Sequence, residues 1–249
     1  SVFTDKEIRT KFHFHTPKNT LGFYEPEGGY LHIEKCIEAF QQKAKKQGAE
    51  LKFNSKVTFW KKTKDGYEVQ SNDQLFHAKK LILALGAWAP LQGLSLPLKP
   101  KRVFLAWFEG QLDQTIPVFF QDTTKGPWIY GFPQLDGKIK VAFHNVYEDC
   151  HPDSLDRVVR EEEVKHLYQH ASALIPKLGP FISAKVCMYT MTPDEHFIVG
   201  APKKDPDLFL ACGFSGHGYK FAPVLGEIAE HWLTNQNSFD ISFLSPDRF

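Results

Sequence analysis

The 249-residue sequence lacks several features that would point directly to a class of protein. It has only four cysteines, without C-x-x-C spacing, so we expect no disulfide framework and a reducing, cytoplasmic setting. No apolar run approaches the ~20 residues that cross a bilayer, so we expect no membrane anchor. Thirty basic residues against 29 acidic ones leave a net charge of +1, which argues against a nucleic-acid-binding surface.

Two further absences concern the beginning of the chain. The only methionines are Met188 and Met191, so we expect the chain to be processed or to be part of something longer. A G-x-G-x-x-G turn, which holds the pyrophosphate in dinucleotide-binding folds, occurs nowhere in the sequence. A complete dinucleotide-binding turn is therefore not expected within these residues.

Hydrophobic periodicity predicts three helices in an otherwise strand-rich chain. They cover residues 33–44, about 155–175 and 221–233, while residues 1–27 are predicted to be irregular. Strands are predicted at 51–59, 66–70, 75–78, 81–86, 103–108, 118–121, 128–132, 138–144, 184–190 and 208–212. The continuous apolar run at 81–86 is typical of a strand buried on both faces.

The order of these elements predicts an α/β (α+β) protein of two interleaved lobes. Residues 1–96 and 184–249 form one lobe with a buried sheet and the last helix. Residues 97–183 form the other lobe, with a mixed or antiparallel sheet.

The segment Gly213-Phe214-Ser215-Gly216-His217-Gly218-Tyr219-Lys220 is the strongest local signal. It follows an apolar strand and opens the last predicted helix. Glycines let the backbone approach a ligand, and a helix N-terminus favours an anionic group near residues 216–219. A tight strand-to-helix turn without a ligand is equally consistent with the pattern. Position 217 is His where a G-x-S-x-G nucleophile elbow requires Gly, so that class of hydrolase is excluded.

The strand at 138–144 offers a second candidate surface. Alternation places Lys138, Lys140, Ala142 and His144 on one face and the apolar residues between them on the core face. Lys140 and His144 are about 13 Å apart along the strand, with a small residue between them. This face could hold a flat ligand, although the strand alone favours a solvated outer face.

Three weaker features carry both a structural and a functional interpretation. Cys187 by itself is expected to be a buried small hydrophobic residue. Trp88, just after Gly86-Ala87, could stack on a ligand but more often such a residue packs. His13 and His15 lack an evident third ligand, so no metal site is expected.

Taken together, these segments resemble the sarcosine oxidase family of FAD-dependent amine oxidases, from about residue 21 to the C-terminus. The segments that carry the resemblance are Gly28-Gly29-Tyr30, residues 81–88, Tyr130-Gly131-Phe132-Pro133, Cys187-Met188-Tyr189-Thr190, Asp194-Glu195-His196-Phe197-Ile198, and residues 213–221. The Cys187 and Asp194 motifs and the glycine segment are specific to the family, whereas the others are shared with related flavin enzymes.

The resemblance implies roles for individual residues. Cys187 matches the cysteine that holds the flavin through a thioether bond, and Lys140 matches the lysine that activates oxygen. His144 and Tyr130 match residues around the substrate amine, and Lys220 matches a lysine that pairs with the substrate carboxylate. The remaining residues implied to contact the cofactor are Gly86, Trp88, Gly213, Ser215, Gly216, His217 and Gly218.

The implied chemistry is FAD-dependent oxidation of the C–N bond of a small secondary amino acid, N-methyl or cyclic. The imine hydrolyses to aldehyde and amine, and O2 is reduced to hydrogen peroxide. The first and third segments of the chain would then belong to a partial FAD-binding lobe, and residues 97–183 to a substrate lobe.

Departures from the family pattern leave alternatives open. Without the G-x-G-x-x-G turn, we expect these 249 residues alone to bind FAD poorly and turn over little substrate. An exposed sheet edge would favour self-association. The alternatives are another FAD amino acid oxidase or dehydrogenase, such as a glycine oxidase, and a non-catalytic chain that needs a separate nucleotide-binding lobe.

Overall fold

The structure is a computed structural model, and it describes residues 1–110, 116–123, 126–133, 136–236 and 239–249. The chain forms two compact units. The first comprises Ser1–Tyr30 and Lys101–Met188, and the second comprises Leu31–Pro100 and Tyr189–Phe249. The lobe boundaries expected from the sequence, 1–96, 97–183 and 184–249, stay a prediction.

Fourteen strands and four α-helices are formed by the described residues, and this mixture confirms the α/β (α+β) class. The strands are β1 (Val2–Thr4), β2 (Leu21–Phe23), β3 (Val57–Thr63), β4 (Gly66–Ser71), β5 (Gln74–Ala78), β6 (Leu81–Leu83), β7 (Lys99–Gly110), β8 (Phe119–Gln121), β9 (Ile129–Phe132), β10 (Lys138–Phe143), β11 (Glu148–Asp149), β12 (Leu178–Met191), β13 (Ile198–Gly200) and β14 (Leu208–Cys212). The helices are α1 (Asp5–Phe12), α2 (Ile33–Lys46), α3 (Glu161–Leu174) and α4 (Ala222–Leu233).

The first unit begins with regular structure, so the prediction that residues 1–27 are irregular was wrong. β1 pairs antiparallel with β2, and α1 lies between them in sequence. Thr4 and Glu7 form a capping box, in which the Glu7 carboxylate accepts a hydrogen bond from the Thr4 amide at 2.7 Å. Ile8 and Phe14 are buried in the core of this unit. The T-x-x-E signal for a helix start was present in the sequence.

A six-stranded sheet dominates the first unit. Its order is β11-β7-β10-β9-β8, with β12 also paired to β7. The β7/β10, β10/β9 and β9/β8 pairs are antiparallel, as the sequence predicted for this region. Helix α3 shares the core of the sheet through Leu167, Ala171 and Leu174. One face of the sheet is therefore buried beneath α3.

Helix α3 starts at Glu161, six residues later than predicted. Residues Pro152–Ser154 form a separate short 3-10 turn. The Glu163 carboxylate accepts a hydrogen bond from the Arg160 amide at 3.0 Å, which caps the helix at that point. Local capping, and not the apolar period, sets this helix boundary.

The second unit contains two three-stranded sheets. One is β3-β4-β5, and the other is β13-β14-β6, in which β14 pairs antiparallel with β13 and parallel with β6. Strand β3 begins at Val57 and not at residue 51, since Asn54 has a φ of +55° that interrupts extended backbone. Ile82 is 39% exposed, so the expectation that this strand is buried on both faces was wrong at that residue.

Two predicted helices of the second unit are confirmed. Helix α2 extends two residues beyond the predicted end, and α4 begins one residue after the predicted start. Ile228 of α4 packs with Val199 and Phe209 of β13 and β14 in a buried cluster.

Within the described ranges, no helix combines the length and the apolar character that crossing a membrane requires.

Candidate active site

Strand β10 divides its side chains between two faces of the six-stranded sheet. Ile139 and Val141 are buried in the core beneath α3, as the alternation predicted. Lys140 pairs with Phe132 of β9, and Ala142 pairs with Tyr130. Because directly paired residues on neighbouring strands project to the same face, these four residues share the face opposite α3.

Aromatic rings surround His144 at the end of this face. The Trp128 and His144 rings are parallel, with centroids 6.1 Å apart and planes inclined by 1°. The Phe120 and Tyr130 rings meet His144 edge-on, at 5.7 Å and 6.4 Å. Ala142 is only 1% exposed, so the alternative of a solvated outer face is excluded at the centre of the strand. We refer to Phe120, Trp128, Tyr130, Phe132, Lys140 and His144 as the aromatic face.

Sequence reasoning identified Tyr130, Lys140 and His144 but missed Trp128, Phe120 and Phe132. The structure brings all six residues to the same face of the sheet. Two signals were available in the sequence. Alternation along 128–132 places Trp128 and Phe132 on the same side as Tyr130. On an antiparallel partner strand, the residues that pair with these three project to that side as well.

Ammonium groups accompany the rings on this side of the sheet. The Lys140 Nζ lies 5.1 Å from the centroid of the Phe132 ring. On β7, Trp107 pairs with Lys140, and the Lys185 Nζ lies 5.7 Å from the Trp107 centroid. A cation held over a ring face gains about 0.5–2 kcal/mol from its attraction to the ring. The face therefore suits a flat group that carries or develops negative charge.

Cys187 lies on β12 as a half-buried free thiol. It is two residues beyond Lys185, so strand alternation points both side chains to the same side of β12. The expectation from the residue alone was a buried small hydrophobic side chain, whereas the residue is only partly buried.

The glycine turn in the second unit is anchored to the end of β12. Ser215 is 2% exposed, and its amide donates a hydrogen bond to the Thr190 carbonyl at 3.0 Å. The Thr192 amide donates to the Ser215 hydroxyl oxygen at 3.3 Å. Ser215 therefore holds the turn to the end of β12 through hydrogen bonds within the protein. The sequence alone could not distinguish this structural role from contact with a ligand.

Two glycines of this turn are required by its backbone. Gly216 has a φ of +81°, and a Cβ atom placed on it would lie 2.6 Å from the Tyr189 ring. Gly213 has a φ of +63°, and its Cβ would lie 2.6 Å from Thr192. Both contacts are shorter than van der Waals packing allows, so any side chain would displace the turn.

The turn is not the first turn of an α-helix, which corrects the prediction for residues 216–219. Helix α4 begins at Ala222, and a short 3-10 turn, Tyr219–Phe221, precedes it. The His217 Nδ1 lies 3.0 Å from the Ser215 carbonyl, and its ring packs 5.0 Å from Phe197. Lys220 is exposed, with its Nζ 5.6 Å from the Phe221 centroid.

Gly86 and Trp88 lie directly after β6. Gly86 has a φ of +53°, and a Cβ placed on it would meet no atom within 4 Å. Trp88 is 42% exposed, so close packing, the more frequent outcome for such a residue, is not observed. The open space beside Gly86 and the exposed indole could accommodate a large planar group.

The Asp194 motif performs a structural task in the second unit. The Arg248 Nε donates to Asp194 Oδ2 at 2.8 Å, and Arg248 Nη2 donates to Oδ1 at 3.0 Å. This two-point contact with Arg248, helped by the His196 amide, holds the pKa of Asp194 well below its usual value. The motif therefore fastens the C-terminal residues to the turn before β13.

Asp194→Asn is expected to remove a pH-dependent part of the stability. A lowered folded-state pKa contributes stability above the ordinary Asp pKa of about 4, and this contribution is lost as the pH falls through the folded-state value. Because the carboxylate is partly solvated, the loss at pH 7 should not exceed about 1 kcal/mol. Urea denaturation at pH 7 and pH 3 measures it. A difference between variant and wild type that grows on acidification would contradict the assignment.

Gly216→Ala is expected to destabilise the protein by more than about 1 kcal/mol, because Ala is strained at positive φ and its Cβ meets Tyr189. The matched control is Gly226→Ala in the exposed middle of α4, where a Cβ meets no atom within 4 Å. That change should stabilise by up to about 1 kcal/mol. Thermal unfolding of both variants checks the prediction, and equal midpoints would contradict it.

In the described part of the chain, no group of three or more His, Cys, Asp and Glu side chains is arranged to hold a metal ion.

The sequence signature of the FAD dependent oxidoreductase (DAO) family matches residues 1–232. The chain belongs to this family, as the resemblance predicted. It is 38% identical to monomeric sarcosine oxidase from Streptomyces avermitilis, over 98% of this chain and 67% of that protein. It is 32% identical to N-methyl-L-tryptophan oxidase from Escherichia coli O157:H7, over 94% of this chain and 64% of that protein. The chain therefore spans about two thirds of the length of these relatives.

A solved structure shares the fold at lower sequence identity. L-proline dehydrogenase from P. horikoshii matches with a TM-score of 0.87 and 21% identity, over 100% of this chain and 68% of that chain. This likeness supports the fold alone.

Proposed function

We propose that the protein oxidises the C–N bond of a small secondary amino acid, using FAD and O2. The observation that carries this proposal is the aromatic face, where Tyr130, Lys140 and His144 share one side of a sheet whose other side is sealed by α3. The two curated relatives are named for oxidation of N-methyl amino acids. FAD, when bound, would supply a two-electron oxidation of the substrate, with O2 as the final electron acceptor and hydrogen peroxide as its product.

The residues of this chain supply position and charge. The parallel Trp128 ring and the edge-on rings of Phe120 and Tyr130 restrict the orientation of His144, and its imidazole is proposed to face the amine of the substrate. The Lys140 ammonium favours the negative charge that develops as oxygen is reduced. Lys220 is proposed to pair with the substrate carboxylate, since it is an exposed cation beside the glycine turn. The rings of the aromatic face keep water away from the reacting C–N bond.

We further propose that Cys187 holds the flavin covalently. Its thiol is free and half-buried. Gly86, Trp88 and the turn with Gly213, Ser215, Gly216, His217 and Gly218 are proposed to contact the cofactor.

The test is a visible spectrum of the protein expressed from its complete gene, recorded before and after denaturation and desalting. Flavin absorbance should stay with the denatured wild-type chain and should be lost from Cys187→Ala. The matched control is Cys150→Ala, another half-buried free thiol of the first unit, which should keep the absorbance. Colour that washes away from the wild type would contradict the covalent link.

Peroxide assays with N-methyl and cyclic amino acids separate the alternatives. Peroxide from a secondary amino acid supports the proposal. Substrate-dependent flavin reduction without peroxide would favour a dehydrogenase, and preference for glycine would favour a glycine oxidase. A protein that retains no flavin until a separate nucleotide-binding subunit is added would favour the non-catalytic alternative. Self-association through an exposed sheet edge stays a prediction, and a monomeric sedimentation profile would contradict it.

A further inference from the structure

Helix α3 carries two histidines on its outer surface, away from the aromatic face. His166 and His170 are both exposed and lie four residues apart in the middle of the helix. Side chains at i and i+4 stand one above the other on the same helical face. The helix itself is held in place because Leu167 and Ala171 are fully buried in the core of the first unit.

The two imidazole rings lie close together. Their centroids are 4.8 Å apart. Both rings rest against the Phe143 ring, His166 at 5.0 Å and His170 at 5.3 Å. This packing limits the rotamers of both rings, so less conformational entropy is lost when the two rings bind one ligand together.

The hydrogen bond made by one ring nitrogen of His170 leaves the other ring nitrogen able to bind a metal ion. His170 Nδ1 lies 3.0 Å from the His166 carbonyl oxygen. A carbonyl only accepts hydrogen bonds, so Nδ1 carries the proton and the Nε2 of the neutral ring keeps its lone pair. Donation of one ring N–H to a backbone carbonyl is the usual support for a metal-binding imidazole.

We propose that His166 and His170 form a two-histidine site for a late divalent transition-metal ion, with water completing its coordination. Paired imidazoles at i and i+4 are the donor arrangement that helices use for Zn²⁺, and nitrogen donors favour Zn²⁺, Ni²⁺ and Cu²⁺ over Mg²⁺ or Ca²⁺. Glu162 lies one turn before His166 and adds negative charge to this side of the helix. The site is independent of the proposed oxidase activity.

The experiment is a calorimetric titration of ZnCl₂ into the untagged protein expressed from its complete gene. We expect the wild type to bind Zn²⁺. The affinity should weaken about a hundredfold in His166→Gln and in His170→Gln, because the remaining imidazole then binds the ion without a second imidazole held beside it. The matched control combines His170→Gln with Ala173→His. It keeps the number of histidines, but it places the two rings two turns apart, about 10 Å along the helix axis, which is too far for one ion.

The outcomes are distinct. Loss of tight binding in both single variants and in the control supports the site. Binding that survives in the single variants, or equally tight binding in the control, would overturn it, as would a wild type that binds no Zn²⁺. Thermal unfolding gives a second readout. Added Zn²⁺ should raise the midpoint of the wild type but not that of the variants, since a ligand that binds only the folded state stabilises it.

Discussion

Lys140→Met should slow reoxidation of the reduced enzyme by O2 on the order of 10²- to 10³-fold, as removal of a single charge-stabilising donor does in other enzymes. The Lys140 ammonium sits over the Phe132 ring, on the face opposite the α3 core. Methionine keeps the length of the side chain but removes the positive charge. Anaerobic reduction by substrate should change far less, because the proposed role of the charge is confined to the reduction of oxygen. Stopped-flow absorbance measures the two half-reactions separately.

The control for this prediction is Lys138→Met, two residues earlier on β10. Lys138 projects to the same face but is close to half exposed and lies 3.6 Å from Asp136. Its replacement should leave both half-reactions within about threefold of the wild type, since a screened surface charge contributes little. An equal decrease of the reoxidation rate in the two variants would mean that any positive charge on this face has the same effect, and it would contradict a specific role for Lys140.

Arg102→Ala is expected to destabilise the first unit by about 3–5 kcal/mol, because it leaves the Glu163 carboxylate partly buried without its partner. Arg102 is 4% exposed and contacts both Glu163 oxygens through its two terminal nitrogens. Its guanidinium also donates to the carbonyls of Asp156 at 2.9 Å and Val158 at 2.7 Å. Burial opposes ionisation of Glu163, yet these contacts with Arg102 hold its pKa below the usual value.

Two further variants make this prediction testable even if Arg102→Ala does not fold. Arg160→Ala removes more exposed ion pairs with Glu148 and Asp156 and should cost much less stability than Arg102→Ala, because solvent screens these charges. The double variant Arg102→Met with Glu163→Leu removes both charges and should be less destabilised than Arg102→Ala alone. Urea denaturation provides the comparison. A double variant that is less stable than the single one would contradict the argument.

The elements that the sequence predicted correctly are those defined by neighbours along the chain. The alternation of Ile139 and Val141 with Lys140 placed β10 and its two faces, and the apolar stripe of α4 placed the last helix. Helix α1 was not predicted, although the capping-box residues Thr4 and Glu7 indicate a helix start. The prolines and glycines that follow in residues 1–27 led to the prediction of an irregular segment.

The candidate site was predicted less completely than the helices and strands, because it depends on contacts between segments that are distant in the sequence. Strand alternation placed Lys140 and His144 on one face, and the resemblance to a family added Tyr130 and the roles of all three residues. The contact between the Trp128 and His144 rings depends on the pairing of β9 with β10. Likewise, nothing local indicated that Ser215 fastens the glycine turn to Thr190 and Thr192. Contacts of this kind depend on strand register and on turns between distant segments.

By itself, the sequence determined the class of fold, most strands and helices, and membership of an FAD dependent oxidoreductase family. Only the tertiary structure decided which distant side chains meet, such as Arg102 with Glu163 and Asp194 with Arg248. The physical reason is that the hydrophobic periodicity of a sequence reflects the local geometry of a helix or strand, which repeats every few residues. An ion pair 54 or 61 residues apart in sequence is instead selected by the packing of the whole unit.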